Sequence, residues 1–144
     1  MAIKFVSNLF DRYQIPPQTI CFEITETAAI ANFDRARYFM SELKKIACCF
    51  ALDDWGSGLS CFAYLMNLPV DYLKIDGAFV KNISHNLISK ALVEGFNRIA
   101  DAMNVETIAE FVEDETILEK LREMGVDYAQ GYGLAHPVPI NFNR

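Results

Sequence analysis

The sequence predicts an α/β fold, a parallel sheet of about five strands covered by helices, as a single domain over residues 1–144. Two observations predict it. Helical and strand-like periodicities alternate along the whole chain, and such alternation builds parallel sheets with covering helices. Each strand-like run is apolar until a polar residue appears at its C-terminal end: Glu23, Asp53, Lys74 with Asp76, Glu110 and Gln130. In β/α barrels the active-site groups sit at those ends of the strands.

The elements follow in order. Helical periodicity covers roughly Ile3 to Tyr13 and stops before Pro16 and Pro17. A strand runs from Thr19 to Thr25. The next helix spans Phe33 to Ile46, with Asn32 as its N-cap. Cys48 to Asp53 forms a second strand, and Ser60 to Asn67 reads as a short helix stopped by Pro69. A third strand covers Tyr72 to Asp76. A long helix follows from about Leu87 to Met103, with Ile88, Leu92, Ile99 and Met103 as its apolar face. A strand at Glu106 to Glu110 precedes a helix at Glu115 to Met124 closed by Gly125. Asp127 to Gln130 is the last strand. Side-chain alternation fits a two-faced sheet in the first three strands. Cys21 and Glu23 share one face against Phe22 and Ile24; Ala51 and Asp53 oppose Phe50 and Leu52; Tyr72, Lys74 and Asp76 oppose Leu73 and Ile75.

The run Leu52-Asp53-Asp54-Trp55-Gly56-Ser57-Gly58-Leu59-Ser60 carries the strongest chemical signal. Two adjacent carboxylates repel each other when ionised, and a metal ion reverses that cost. The glycines let the backbone turn sharply beside them. Glu23, Asp53, Asp54 and Glu110 would converge as hard oxygen ligands, a set suited to magnesium or manganese. Taken singly, each acid also fits a solvated or salt-bridged carboxylate. Two ions about 3.5–4 Å apart suit phosphodiester hydrolysis, one activating water and the other stabilising phosphate charge. Asp53, with Asp54 beside it, is the natural bridging ligand. Lys74 points into the same mouth, either as a salt-bridging cation or as a group that orients water or contacts a phosphate. Gln130 either holds a water or ligand or is a hydrogen-bonded interior amide.

Composition narrows the field. The 144 residues include 13 Lys+Arg against 19 Asp+Glu, for a formal net charge of -6. That balance argues against a nucleic-acid duplex as partner. Hydrophobic content is 52% and mean hydropathy +0.12, yet no apolar run approaches the ~20 residues a membrane span needs. The start reads as an amphipathic helix, not a signal peptide. Cys21, Cys48, Cys49 and Cys61 lack zinc-type spacing and read as small buried residues in a reducing compartment. With only His85 and His136, a zinc hydrolase or serine-type triad is disfavoured. An enolase-type enzyme also places acids and a lysine at strand ends; the paired aspartates and glycine loop disfavour it.

These residues resemble the EAL-domain phosphodiesterases of bacterial cyclic di-GMP signalling. The resemblance rests on Phe22-Glu23-Ile24-Thr25-Glu26-Thr27, on Leu52 to Ser60 (Trp55 replacing the usual Phe), and on Leu68-Pro69-Val70-Asp71-Tyr72-Leu73-Lys74-Ile75-Asp76-Gly77. It also rests on Ile108-Ala109-Glu110-Phe111-Val112-Glu113, with Phe111 where Gly is commoner, and on Tyr128-Ala129-Gln130-Gly131-Tyr132. It implies a TIM-type (β/α)8 barrel that cleaves cyclic di-GMP to linear pGpG with Mg2+ or Mn2+. It implies metal contacts by Glu23, Asp53, Asp54 and Glu110, action of Lys74 on metal-bound water, and support from Gln130. It further implies that Glu26 braces a regulatory loop, Trp55, Gly56, Ser57 and Gly58 included, which couples dimerisation to activity.

Compared with that family, the chain lacks counterparts of the first three strands, the Glu-Ala-Leu glutamate and an asparagine ligand. The expectation is therefore a partial barrel, strands four to eight, with one metal site incomplete. Weak or absent activity follows for the chain alone, and an inactive cyclic di-GMP-binding or regulatory module is the alternative. Unpaired sheet edges predict a homodimer or higher oligomer. The expected location is cytoplasmic, within a larger protein that a membrane anchor can carry.

Overall fold

The computed structural model describes residues 2–57 and 66–139. Helix α1 (Ala2–Tyr13) leads through a 3-10 turn (Pro17–Thr19) into β1 (Cys21–Thr25). Then come α2 (Glu26–Ala31), α3 (Phe33–Lys44), β2 (Cys49–Trp55), β3 (Tyr72–Ile75) and α4 (Gly77–Val80). The chain continues through α5 (Leu87–Met103), β4 (Glu106–Ala109), α6 (Glu115–Glu123) and β5 (Tyr128–Ala129). All neighbouring strands pair in parallel, in the order β1-β2-β3-β4-β5. Sequential parallel order, with described helices between β1 and β2, β3 and β4, and β4 and β5, is the wall of a β/α barrel, as expected. The expected helix from Ser60 falls mostly outside the described residues; its last two positions, Met66 and Asn67, lie in a turn.

The outer face of the sheet is the core. Phe50, Leu52, Leu73 and Ile75 are fully buried there, with Met40 and Leu43 from α3 packed in the same cluster. Phe22, Phe39 and Phe50 stack or meet edge to face, with centroids 5.6–6.3 Å apart. The alternation read from sequence therefore holds: the apolar set faces the helices, while Cys21, Glu23 and Thr25 stay exposed.

Two local expectations are corrected. Asn32 precedes α3, but its side chain makes no capping bond; its φ of -139° and ψ of 55° belong to the break between α2 and α3. The apolar face assigned to α5 is also shifted in phase, although its Ile99 does pack against the core. Its buried residues are Ser89, Val93, Phe96, Asn97 and Ala100, whereas Ile88 is 72% exposed and Leu92 37%. The reason is a buried polar network. Asn97 donates to the carbonyls of Met124 and Gly125 (3.2 and 3.3 Å), and its Oδ1 accepts from Thr107 Oγ1. Asp127 Oδ2 accepts from the Thr107 backbone N–H at 2.7 Å. The network joins α5, β4 and the loop before β5, and it turns polar residues inward.

Asn97→Ala strips this network of its centre and leaves buried groups unpaired. A loss of about 1–3 kcal/mol in urea unfolding is expected, with the parallel sheet retained by circular dichroism.

Candidate functional site

The sheet carries four charged side chains from four consecutive strands to one level. Lys74 Nζ lies 3.0 Å from Glu23 Oε2, 3.0 Å from Asp53 Oδ1 and 2.9 Å from Glu110 Oε1. The register produces this meeting. Glu23 pairs with Ala51, Ala51 with Tyr72, and Lys74 stands two residues beyond Tyr72 on the same face. Glu110 directly follows β4, and its N–H continues the ladder to Ile75 O at 3.2 Å. Lys74 is 4% exposed. Burial alone would lower its pKa, but hydrogen bonds to Glu110, Asp53 and Glu23 override that and raise it. The ammonium therefore stays charged at neutral pH.

A β-bulge brings in the second aspartate. Between Leu52↔Leu73 and Trp55↔Ile75, β2 advances three residues while β3 advances two. The extra residue lies at Asp53-Asp54, and Asp54 takes φ +56°, a left-handed conformation that aspartate tolerates better than most side chains. Strict alternation would send the two carboxylates to opposite faces. Instead, ligand atoms of Asp53, Asp54 and Glu110 lie within 4.8 Å of one another. Trp55 then returns to the core, fully buried, with its ring 5.0 Å from Phe96. The following turn is tied twice. Ser57 donates from both N–H and Oγ to Asp54 O, and Gly56 N–H donates to Glu26 Oε2 at 3.1 Å. Glu26 is fully buried. Gly56 has φ +94°, and a Cβ there would come within 2.6 Å of Phe96. Gly58 lies outside the described residues.

The cluster is crowded with negative charge. Burial raises the Asp54 pKa first, then the charges of Asp53 and Asp76, with Lys74 opposing. Burial likewise raises Glu110; Lys74 pulls it down, while Asp53 and Asp54 add to the rise. Asp53 Oδ1 is sealed from solvent and paired with the Lys74 ammonium at 3.0 Å. Hard oxygen donors, mutual repulsion and a solvent-sealed carboxylate oxygen all fit a divalent cation held by Asp53, Asp54 and Glu110.

The remaining candidates lie around this core. Gln130 is exposed, not an interior amide. It lines a cavity of about 380 Å³ together with Glu110, Phe111, Glu113, Tyr132 and Lys81. Asp76 makes no ion pair with Lys74; its carboxylate caps α4 by accepting from Ala78 N–H at 2.8 Å. Sequence reasoning missed Lys81, Glu113 and Tyr132 as cavity residues. The signal that could have found them is Phe111, where a glycine-favouring position holds an aromatic ring. Its φ of +55° costs a bulky residue about 1–3 kcal/mol.

Removing the single cation of the cluster has a pH signature. In Lys74→Met, Asp54 and Glu110 lose the charge that opposes their upward shift, so their folded values rise further above the unfolded ones. An acid with a raised folded pKa destabilises the fold once it ionises, and stability returns as pH falls through that value. Urea unfolding is expected to find the variant much weaker than the parent at pH 7, with the gap narrowing at pH 5. Millimolar Mg2+ or Mn2+ is expected to raise the melting temperature of the parent chain by binding its folded state, and Asp53→Asn is expected to abolish that rise.

Comparison with known proteins agrees with this geometry. The family model described as EAL domain matches residues 2–137. The cyclic di-GMP phosphodiesterase PdeB of Shewanella oneidensis is 44% identical over 138 residues, 96% of this chain and 16% of that protein. The cyclic di-GMP phosphodiesterase PdeA of Borreliella burgdorferi is 43% identical over 136 residues, 94% of this chain and 20% of that protein. A solved structure of the phosphodiesterase PaMucR in complex with c-di-GMP superposes with a TM-score of 0.90 at 30% identity. That match covers 95% of this chain and 56% of the PaMucR chain. The chain thus spans a fifth or less of these two relatives' length.

Proposed function

The chain belongs to the EAL domain family, and from that premise we propose that it binds cyclic di-GMP and hydrolyses one phosphodiester to give linear pGpG. The observation that carries the reading is the Asp53, Asp54 and Glu110 cluster gathered around Lys74. In this reading Asp53, Asp54 and Glu110, with Glu23 beside them, hold Mg2+ or Mn2+. A cation there supplies Lewis-acid polarisation of the phosphodiester and a water made acidic by ligation. The rest of the work belongs to the chain. Lys74 keeps its proton, so it orients and stabilises anionic oxygens and does not act as a general base. Its three ion pairs fix the carboxylates before substrate arrives, a preorganisation that avoids rearrangement during reaction. Gln130 presents an amide from the neighbouring cavity wall to the substrate.

Glu26 and the turn from Trp55 to Ser57 form a lever in this reading. The buried carboxylate holds Gly56 N–H, and Ser57 holds the Asp54 carbonyl. Movement of the turn therefore displaces Asp54. A homodimer or higher oligomer and a cytoplasmic location complete the proposal. Leu87 and Ile88 are 86% and 72% exposed on α5, which supports association; no described helix is long and apolar enough to cross a membrane.

A second reading, binding without turnover, draws on the ligand count. Among the described residues a single three-carboxylate cluster is present, enough for one ion, whereas paired-ion chemistry needs two placed together. Slow turnover is therefore expected. Incubation with cyclic di-GMP and Mn2+, followed by chromatography for pGpG, is expected to give a low rate that Asp53→Asn reduces at least a hundredfold. Calorimetric binding with no pGpG would select the second reading, and the absence of both would sink the proposal.

A further inference from the structure

The substrate reading leaves an electrostatic problem. Cyclic di-GMP carries two phosphodiester anions, and this site is dominated by carboxylates. Lys74 is already enclosed by three of them. When one phosphodiester lies at the cluster, the other must lie outside it. The cavity that shares Glu110 with the cluster is the adjoining space, and Lys81 is the cation that lines it.

The way Lys81 is held bears on what it does. Its Nζ sits 4.7 Å above the Phe111 ring centroid and 3.4 Å from Glu113 Oε1. Both side chains of that ion pair are about half exposed, 42% and 57%. A pair of this kind contributes little and exchanges readily. A phosphate oxygen offers a stronger, charge-assisted hydrogen bond. Lys81 thus stands over the cavity with Glu113, another lining residue, as a weak and exchangeable partner.

Phe111 explains the poise. Glycine would adopt its φ of +55° without strain, yet an aromatic ring stands here. The ring packs on the start of α4, where a Cβ on Gly77 would come within 2.1 Å of Phe111 Cδ2. Lys81 caps the other end of α4, with its N–H bonded to Gly77 O at 3.0 Å. The ring therefore spans the four-residue helix from its first residue to the lysine that follows it. A cation–π contact holds the ammonium over the cavity.

We propose that Lys81, positioned by Phe111, receives the second phosphodiester of a cyclic dinucleotide whose first phosphodiester lies at the carboxylate cluster. The inference rests on the reading of the site given above. Lys81 is the binding group, and Phe111 is a positioning residue that acts through it.

Calorimetric titration of the full chain in Ca2+ tests this with two ligands, cyclic di-GMP and linear GpG, which has one phosphodiester. The parent chain is expected to prefer cyclic di-GMP. Lys81→Met keeps the aliphatic stem and is expected to lose about tenfold in affinity for cyclic di-GMP, with little change for GpG. Lys81→Arg is expected to retain most of the preference. Phe111→Gly relieves the backbone and is expected to unfold at an equal or higher temperature, yet to lose part of the same preference; Phe111→Tyr is expected to keep it. Unchanged cyclic di-GMP affinity in Lys81→Met would overturn the inference, as would an equal loss for both ligands. If the parent chain binds neither ligand, the reading of the site falls and takes this inference with it.

Discussion

The structure turns on one ammonium group. Lys74 ties β1, β2, β3 and the residue after β4 through contacts of 2.9–3.0 Å. Burying a charge is expensive unless it is paired and hydrogen-bonded. Here three carboxylates meet that need, and the ammonium in turn makes their proximity tolerable. The arrangement also specifies register. Slipping β3 by one residue would send Lys74 to the helix-covered face, where Leu73 and Ile75 are fully buried. The same group therefore selects the sheet register and assembles the site.

The bulge in β2 solves a problem that alternation creates. A regular strand cannot present two consecutive side chains to one site. One extra residue, accepted at an aspartate with φ +56°, lets both acids reach the mouth and returns Trp55 to the core. The strain at Asp54 is secured on both sides. Trp55 packs against Phe96, and the next turn is held by Ser57 and by buried Glu26. The site is thereby bonded to α2 and packed against α5.

Much of this was legible in the sequence because apolar strands ending in polar residues leave a strong signature. Glu23, Asp53 and Lys74 converge as the side-chain parity indicated, and Glu110 joins them as its place at the end of a strand indicated. What was not legible has identifiable causes. Helices α2 and α4 have six and four residues, too few to show periodicity. Asn97 and Ser89 face inward on α5, which reversed the apparent phase of that helix. The bulge leaves no compositional mark beyond the acid pair itself. Phe111 was visible as a departure from the commoner glycine, but its positive φ and the lysine above it are properties of the fold.

The two lysines at this end of the sheet divide the electrostatic work. An ammonium shared among three carboxylates is held too firmly to respond to an arriving anion, and withdrawing it would leave buried acids uncompensated. It belongs to the resting site. Lys81, just past a four-residue helix, with a loose partner and an aromatic seat, has the opposite character. In the proposed reading an acidic chain receives an anionic ligand, which calls for both kinds of cation: one to hold its own carboxylates in place, and one exposed enough to meet the ligand. The strained backbone at Phe111 and the missing side chain at Gly77 fit the second role, since together they seat the Lys81 ammonium over the aromatic ring beside the cavity.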